Sequence, residues 1–264
     1  MNIWTKKSIE LANQQNYLDL LYKVYPMSVN LRRELKKGTK EEIKTYFNNR
    51  QSTKLLETLL DQEVFPVKDS YVAYLKRDRT AVKRNPATVE RVTGMLYEMG
   101  LGEIFDKAST PKETNRQIGP LFTSWINTGA LGCKITLDAN EFTEYNGNII
   151  FNGSDNQMYE YANEHLGYIR NKGLDFMAKF NNKYIIGEAK FLTDFGGHQN
   201  AQFADAMSTL RTKLNKTDNE VIVIAILDGV LYIKNNSKMH KSITENNDEI
   251  IISAVLLRDF LFSL

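Results

Sequence analysis

The sequence is poor in the residues that form disulfides and metal centres rich in sulfur or nitrogen. Cys133 is the only cysteine among 264 residues, and there are three histidines. An internal disulfide and a cysteine-rich zinc site are therefore excluded, and we interpret Cys133 as a small buried hydrophobic side chain. His165 and His240 have no second ligand at a metal-binding spacing in the sequence, so we expect both to be structural or exposed.

The sequence also lacks long apolar runs. None approaches the roughly 18 residues that a membrane-spanning helix needs, and residues 1–17 lack the apolar segment of a secretory signal. We therefore expect a cytoplasmic protein with no membrane partner. A large excess of charge of one sign is missing as well. The formal net charge of +2 neither demands nor excludes a nucleic acid as partner.

What is present is the composition of an ordinary globular protein, with 42% hydrophobic and 25% charged residues. The length suits one sizeable domain, or one core with a helical extension. Residues 1–110 carry apolar side chains at spacings of three and four, which predicts a largely helical N-terminal region. Within it, Thr39 followed by Glu42 forms a capping-box pattern, and Pro86 indicates a helix start.

Residues 111–264 combine helical and strand signals. The apolar, β-branched run that begins at Glu220 is typical of a buried central strand. The predicted elements in chain order are helices over 113–132 and 154–173, a hairpin over 173–191, a helix over 197–217, a strand from 220, and a mixed strand and helix stretch over 249–264. This order predicts an α/β fold with helices around one sheet. The alternative to a division between residues 110 and 111 is one compact domain.

The stretch GLDFMAKFNNKYIIGEAKF, residues 173–191, places two acids and a base in otherwise apolar strands. The pair Asn181–Asn182 suits a two-residue turn, because asparagine tolerates the positive φ that such turns require. Asp175 then faces Glu188, with Cβ atoms ~5 Å apart. A four-residue loop gives the same pairing, whereas a three-residue loop breaks it. Because Glu188 and Lys190 share a strand face, we predict that all three side chains converge.

This convergence has a chemical use. Two neighbouring carboxylates repel each other, and a divalent cation with oxygen ligands, such as Mg²⁺, relieves the repulsion. The lysine can hold or activate a water and stabilise developing negative charge, and a metal with an activated water can hydrolyse a phosphodiester. Gly187 leaves room for a close backbone approach. The alternative is a surface hairpin in which Lys190 forms a solvated salt bridge, against which the apolar flanks argue.

The residues Leu174-Asp175 followed by IIGEAK at 185–190 resemble the catalytic motif of the PD-(D/E)xK nuclease superfamily, with Leu174 where a proline often stands. The continuation FLTDFGGHQNAQF, residues 191–203, makes the chain similar to type II restriction endonucleases. The motif resemblance covers roughly residues 154–230.

The resemblance implies a restriction-endonuclease-like core, with a mixed β-sheet flanked by helices, and Mg²⁺-dependent, sequence-specific cleavage of double-stranded DNA. It also implies a homodimer and a cognate DNA methyltransferase. By position, Asp175 and Glu188 would bind metal, with the Ala189 carbonyl as a further ligand, and Lys190 would position or deprotonate the attacking water. Many members add an acid from the preceding helix, for which Glu160 and Glu164 are both candidates.

The polar, glycine-rich stretch after the second strand is a candidate for DNA contact. His198, Gln199, Asn200 and Gln202 lie at a predicted helix start, where phosphate binding is favoured, and asparagine and glutamine can bond the edge of adenine. The alternative is a helix-capping turn whose amides are solvated.

A basic segment in the N-terminal region is the second candidate for DNA contact. Lys76, Arg77, Arg79 and Lys83 could bind phosphates, which would position a duplex and make binding sensitive to salt. The alternative is a solvated helix face. We expect residues 1–110 to help grip DNA or to form a dimer.

Two other functions remain open from the sequence. One is a nuclease of the same core that acts in DNA repair or mobile-element processing without a fixed sequence. The other is a non-catalytic DNA-binding module with a vestigial site, against which the intact set of Asp175, Glu188 and Lys190 argues.

Overall fold

The structure is a computed structural model that describes residues 1–26, 34–35, 38–110, 117–245 and 248–264. The chain divides into two compact units. A helical unit comprises Ser28–Glu113, and a sheet unit comprises Met1–Met27 with Thr114–Leu264. The first residues of the chain therefore belong with the sheet, although the sequence groups them with the helical region 1–110.

In the described residues, eight helices precede the first strand, and the strands are interspersed with helices in the rest of the chain. Helices α1 to α13 are Ile3–Ala12, Tyr17–Val24, Thr39–Asn48, Ser52–Leu60, Ser70–Arg77, Ala81–Arg84, Pro86–Ala108, Ile118–Asn127, Ala139–Glu144, Asp155–His165, Gly197–Leu210, Lys238–Glu245 and Leu257–Phe262. Strands β1 to β6 are Lys134–Thr136, Ile149–Phe151, Phe176–Phe180, Lys183–Leu192, Glu220–Gly229 and Ile251–Ile252. No helix in these residues is long and apolar enough to cross a bilayer.

The helical unit is held together by its own apolar core. Ile43 of α3, Leu55 and Leu59 of α4, and Val92 and Leu96 of α7 are all fully buried in it. These residues lie at spacings that place them on one helix face, as the sequence periodicity predicts.

Two details of this unit concern helix ends. Helix α3 follows Gly38, whose φ of 84° is left-handed, so Thr39 is the first helical residue and the predicted capping box is wrong. Helix α7 begins at Pro86 and is interrupted at Gly100, where φ is 79° and ψ is 160°. A residue other than glycine would be strained there, which explains why the helical pattern breaks at this point.

The sheet unit contains a six-stranded mixed sheet in the order β1-β2-β3-β4-β5-β6. The pairs β1–β2, β4–β5 and β5–β6 are parallel, whereas β2–β3 and β3–β4 are antiparallel. Strands β4 and β5 pair over ten positions, from Lys183 with Glu220 to Leu192 with Gly229. The predicted α/β class, a mixed sheet flanked by helices, is confirmed. Of the predicted helix over 113–132, residues 113–116 lie outside the described residues, and α8 covers Ile118–Asn127.

Apolar side chains cover both faces of the sheet. Ile185 and Ala189 of β4 belong to a core shared with α2, α8, α11 and α13. Tyr184 and Ile186 belong to a second core, shared with α9 and α10. Because side chains alternate along a strand, Glu188 points to the face that carries α10, at the margin of that second core.

A buried carboxylate joins both ends of the chain to the sheet. Asp228, near the end of β5, is fully buried. It accepts hydrogen bonds from Tyr17 at 3.3 Å, Tyr25 at 3.1 Å, Ser253 at 2.5 Å and the N–H of Ala254 at 3.2 Å. Burial raises the pKa of Asp228 to about 6, although these four donors oppose the rise.

Replacing Asp228 with asparagine is expected to destabilise the protein in a pH-dependent way. A carboxyl group whose pKa is raised on folding contributes stability that is fully present at low pH and is lost as pH rises through about 6. The destabilisation caused by Asp228→Asn should therefore be largest near pH 4 and shrink by about 3 kcal/mol by about pH 7. Urea unfolding at a series of pH values measures it.

The exposed Asp218 supplies a control. Asp218→Asn should leave the free energy of unfolding nearly unchanged at every pH. A destabilisation by Asp228→Asn that is equal at low and neutral pH would contradict the assigned role of the buried carboxyl.

Candidate active site

The hairpin of β3 and β4 has the predicted register. The Asn181–Asn182 turn has φ values of 47° and 64°, as a two-residue turn of this kind requires, and Phe176 pairs with Gly187. Asp175 lies one residue before β3, and its N–H donates to the Gly187 carbonyl at 3.1 Å. The paired positions end at Phe176 with Gly187, and this additional bond holds Asp175 at the same end of the hairpin.

A single ammonium group joins the two acids. Lys190 Nζ lies 2.6 Å from Asp175 Oδ2 and 2.7 Å from Glu188 Oε1. The N–H of Ala189 donates to Asp175 Oδ2 at 2.9 Å. Because the N–H and C=O of a strand residue point to the same side, the Ala189 carbonyl also faces the Asp175 side. The four residues predicted for the site thus lie together.

Glu188 is the most deeply buried acid of the cluster, with 2% of its surface exposed. Burial raises its pKa, and repulsion from Asp175 raises it further, while Lys190 and Lys172 oppose both effects. Its Oε2 atom is buried without a hydrogen-bond partner among the described residues. A Cβ atom on Gly187 would lie 2.6 Å from the carbonyl oxygen of Ile224, which confirms the predicted close approach of backbone at this position.

The ammonium group of Lys190 is stabilised by its surroundings. Burial disfavours the charge, but the carboxylates of Asp175 and Glu188 outweigh it and raise the pKa of Lys190 above its ordinary value. Lys190 is therefore protonated at neutral pH and acts as a hydrogen-bond donor to both acids.

Sequence reasoning missed the second half of the cluster. Lys172 Nζ lies 2.5 Å from Glu188 Oε1 and also forms an ion pair with Asp205. Arg170 lies 2.6 Å from Asp205 Oδ1. Burial opposes ionisation of Asp205, but the hydrogen bonds from Lys172 and Arg170 hold its pKa below the ordinary value. Lys172 could have been found from the sequence, because it lies close to Asp175 along the chain. Asp205 lies inside α11, and no sequence pattern connects it with the motif.

The start of α10 brings another acid to the cluster. The N–H of Leu174 donates to the carbonyl of Asp155 at 3.3 Å. A Cβ atom on Gly173 would lie 2.6 Å from the Asp155 Cβ, so only glycine allows this approach. Burial raises the pKa of Asp155, and the nearby charge of Asp175 adds to the rise.

The two acids predicted from this helix lie elsewhere. Glu160 accepts a hydrogen bond from Asn156 at 2.7 Å, and Glu164 is paired with His165 at 3.8 Å and is largely exposed. Neither lines the cavity over the cluster. Asp155, at the first turn of α10, is the acid of this helix that lines the cavity.

A cavity of about 410 Å³ opens over the cluster. Its charged lining consists of Asp155, Lys172, Asp175, Glu188, Lys190 and Asp205. Four acids and two lysines therefore meet at one concave surface.

The donor set can be tested for a divalent cation. In the described part of the chain, no group of three or more His, Cys, Asp or Glu side chains is arranged to hold a metal ion. Asp175, Glu188 and the Ala189 carbonyl are nevertheless oxygen donors of the type that Mg²⁺ prefers. Oε2 of Glu188 is buried and has no hydrogen-bond partner among the described residues, so a bound cation would compensate it. The residues therefore fit such an ion.

The predicted DNA-contact residues at the start of α11 differ in their exposure. Gln199 is buried, and its Oε1 accepts a hydrogen bond from the N–H of Thr193 at 3.3 Å. Its amide is therefore used inside the protein, which favours the alternative of a helix-capping role. His198 is exposed and lies 3.2 Å from the amide of Gln202, while Asn200 donates to the carbonyl of Phe195 at 2.8 Å.

The basic residues of the helical unit also divide into two groups. Lys76 donates to the carbonyl of Gln62 at 2.6 Å, and Arg79 pairs with Asp61 at 2.7 Å. Arg77 and Lys83 are exposed and form no ion pair within the described ranges. The second pair is the more available for an external partner.

A comparison with known families gives a match over nearly the whole chain. The family described as Tsp45I type II restriction enzyme matches residues 2–264. Searches of curated proteins and of solved structures return no match.

Replacing Lys190 with methionine tests the shared ammonium. We expect a loss of about 3 kcal/mol in the free energy of unfolding at neutral pH, because two adjacent carboxylates lose the group that compensates them. The loss should shrink as pH falls, since protonation of Glu188, whose pKa is already raised, removes the repulsion. Urea unfolding across pH measures both effects.

The control is Lys183→Met, which breaks a 3.1 Å ion pair with Glu220 at the other end of β4. That pair is more exposed, so its loss should cost less than about 1 kcal/mol. Equal losses in the two variants would contradict a special role for Lys190.

Proposed function

Because the chain belongs to the Tsp45I family of type II restriction enzymes, we propose that it cleaves double-stranded DNA at the Asp175, Glu188 and Lys190 cluster in a Mg²⁺-dependent reaction. Sequence-specific DNA cleavage is the activity that the family implies. The observation that carries the assignment to this cluster is the position of Lys190 Nζ within 2.7 Å of both carboxylates.

In this proposal, Asp175, Glu188 and the Ala189 carbonyl hold the metal ion. A bound divalent ion would polarise the phosphoryl group and lower the pKa of a coordinated water. Asp155 is close enough to add to the negative charge of the site through the same cavity. Burial raises the pKa of Asp155, and the nearby charge of Asp175 adds to the rise.

In this proposal, the role of Lys190 is to stabilise negative charge. Its pKa is raised, so it carries a proton at neutral pH. An ammonium group at this position can hold the attacking water and stabilise the charge that develops on the phosphate.

DNA contact is assigned to exposed or half-buried side chains of both units. Arg77 and Lys83 of the helical unit would bind phosphates, and His198, Asn200 and Gln202 would act near the cut site. Lys76 and Arg79 would first have to leave their present partners. We also propose a homodimer, which provides one active site for each strand, and a cognate methyltransferase that protects the host site.

Cleavage of unmethylated plasmid and phage DNA tests the assignment. With Mg²⁺, the wild type should produce discrete fragments, and EDTA should abolish them. Glu188→Gln and Lys190→Met should each lower the rate by at least about a hundredfold, because each removes charge stabilisation from the reaction. Lys183→Met should cleave at the wild-type rate.

Two other results of the cleavage experiment would change the assignment. A Mg²⁺-dependent smear that both variants lose would indicate a nuclease without a fixed sequence. Discrete fragments that persist in Glu188→Gln would exclude the proposed site while leaving the family activity intact.

The salt dependence of DNA binding tests the basic residues. In EDTA, Arg77→Ala and Lys83→Ala should each weaken binding to plasmid DNA and reduce the slope of log K against log salt by about one. Lys40→Ala, an exposed lysine on α3 of the same unit, is the control for net charge. An equal reduction in slope for all three variants would show that Arg77 and Lys83 have no specific contact.

A further inference from the structure

Two ammonium groups bind the same oxygen of Glu188. Lys190 Nζ lies 2.7 Å from Oε1 and Lys172 Nζ lies 2.5 Å from it. The other oxygen, Oε2, is buried and unpartnered among the described residues. A carboxylate that is 2% exposed therefore has one oxygen with two positive partners and one with none.

The two lysines differ in what else they bind. Lys190 also contacts Asp175, the other proposed metal ligand, at 2.6 Å. Lys172 instead pairs with Asp205, which is not one of the proposed ligands. A cation that binds Asp175 and Glu188 would deprive Lys190 of both its acceptors but would leave Lys172 with a carboxylate of its own.

Asp205 is fixed to receive that lysine. Arg170 binds its Oδ1 at 2.6 Å and also donates to its backbone carbonyl at 3.0 Å. The remaining oxygen, Oδ2, is the one that Lys172 contacts. Asp205 therefore presents one oriented oxygen to Lys172, and the hydrogen bonds of Arg170 and Lys172 keep it ionised.

The charges around the cavity support an exchange of cations. Asp155, Asp175, Glu188 and Asp205 face Lys172 and Lys190, and Arg170 compensates Asp205 from one side. A divalent ion entering this surface competes with the ammonium groups for Glu188, because both are held by the same carboxylate.

We propose that Lys172 competes with the divalent ion for Glu188, and that Asp205 is the positioning residue to which Lys172 withdraws when the ion binds. The pair then sets the Mg²⁺ concentration at which the site fills. This inference rests on the proposed metal site, and it concerns two residues outside the catalytic motif.

Thermal unfolding at increasing Mg²⁺ concentrations, without DNA, tests the proposal, because an ion that binds the folded protein raises its melting temperature. Lys172→Met should reach a given rise in melting temperature at about a tenfold lower Mg²⁺ concentration than the wild type, since one charge-assisted competitor is gone. Asp205→Asn should need a higher concentration, because Lys172 then depends on Glu188 alone. Lys183→Met should match the wild type.

The double variant separates positioning from a general effect of charge. If Asp205 acts through Lys172, Asp205→Asn should have no effect in the Lys172→Met background. If Asp205→Asn raises the required Mg²⁺ concentration equally in the wild-type and Lys172→Met backgrounds, Asp205 acts through its electric field or as a ligand. That result would overturn its assigned role. An unchanged or higher Mg²⁺ requirement for Lys172→Met, or no stabilisation of either protein by Mg²⁺, would overturn the competition.

Glu188→Gln distinguishes this inference from the proposed function. If Lys172→Met fails the test while Glu188→Gln abolishes the Mg²⁺ response, the metal site stands and only the competition is wrong. If Glu188→Gln responds like the wild type, the ion binds elsewhere, and the metal site and the inference both fail.

Discussion

The parallel pairing of β4 with β5 is the interaction on which the sheet unit depends. Its ten paired positions hold the strand that carries Glu188 and Lys190 against a strand that is itself paired on both edges. The pairing is close enough at Gly187 that a side chain there would collide with the backbone of Ile224. An acid can be buried beside this pair because Lys172 and Lys190 bring compensating charge.

Much of the fold and part of the site could be predicted from the sequence because they depend on local patterns. The Asn181–Asn182 turn sets the register by its backbone conformation, and alternation then decides which side chains of β4 share a face. The capping box of α10 is local as well, because Ser154 and Gln157 that form it lie three residues apart. Asp175, Glu188 and Lys190 converge because the register set by the turn and the alternation of side chains along β4 both bring them together.

The rest of the site depends on contacts between distant elements, for which the sequence has no signal. Asp205 meets Lys172 from another helix, and Gln199 is buried because its amide bonds Thr193. The acid near Asp175 is Asp155, at the start of α10, because Gly173 lets the helix start approach the loop. Helical spacing alone did not distinguish this residue from Glu160 or Glu164.

The buried Asp228 has a consequence for biosynthesis. Its partners Tyr17 and Ser253 are separated by most of the chain, and the hydroxyl of Ser8 likewise accepts from the N–H of Ser253 at 2.9 Å. Contacts of such long sequence separation cannot form until both segments have left the ribosome. A nascent chain therefore completes the contacts of Asp228, and with them the sheet unit, only after Ser253 has left the ribosome.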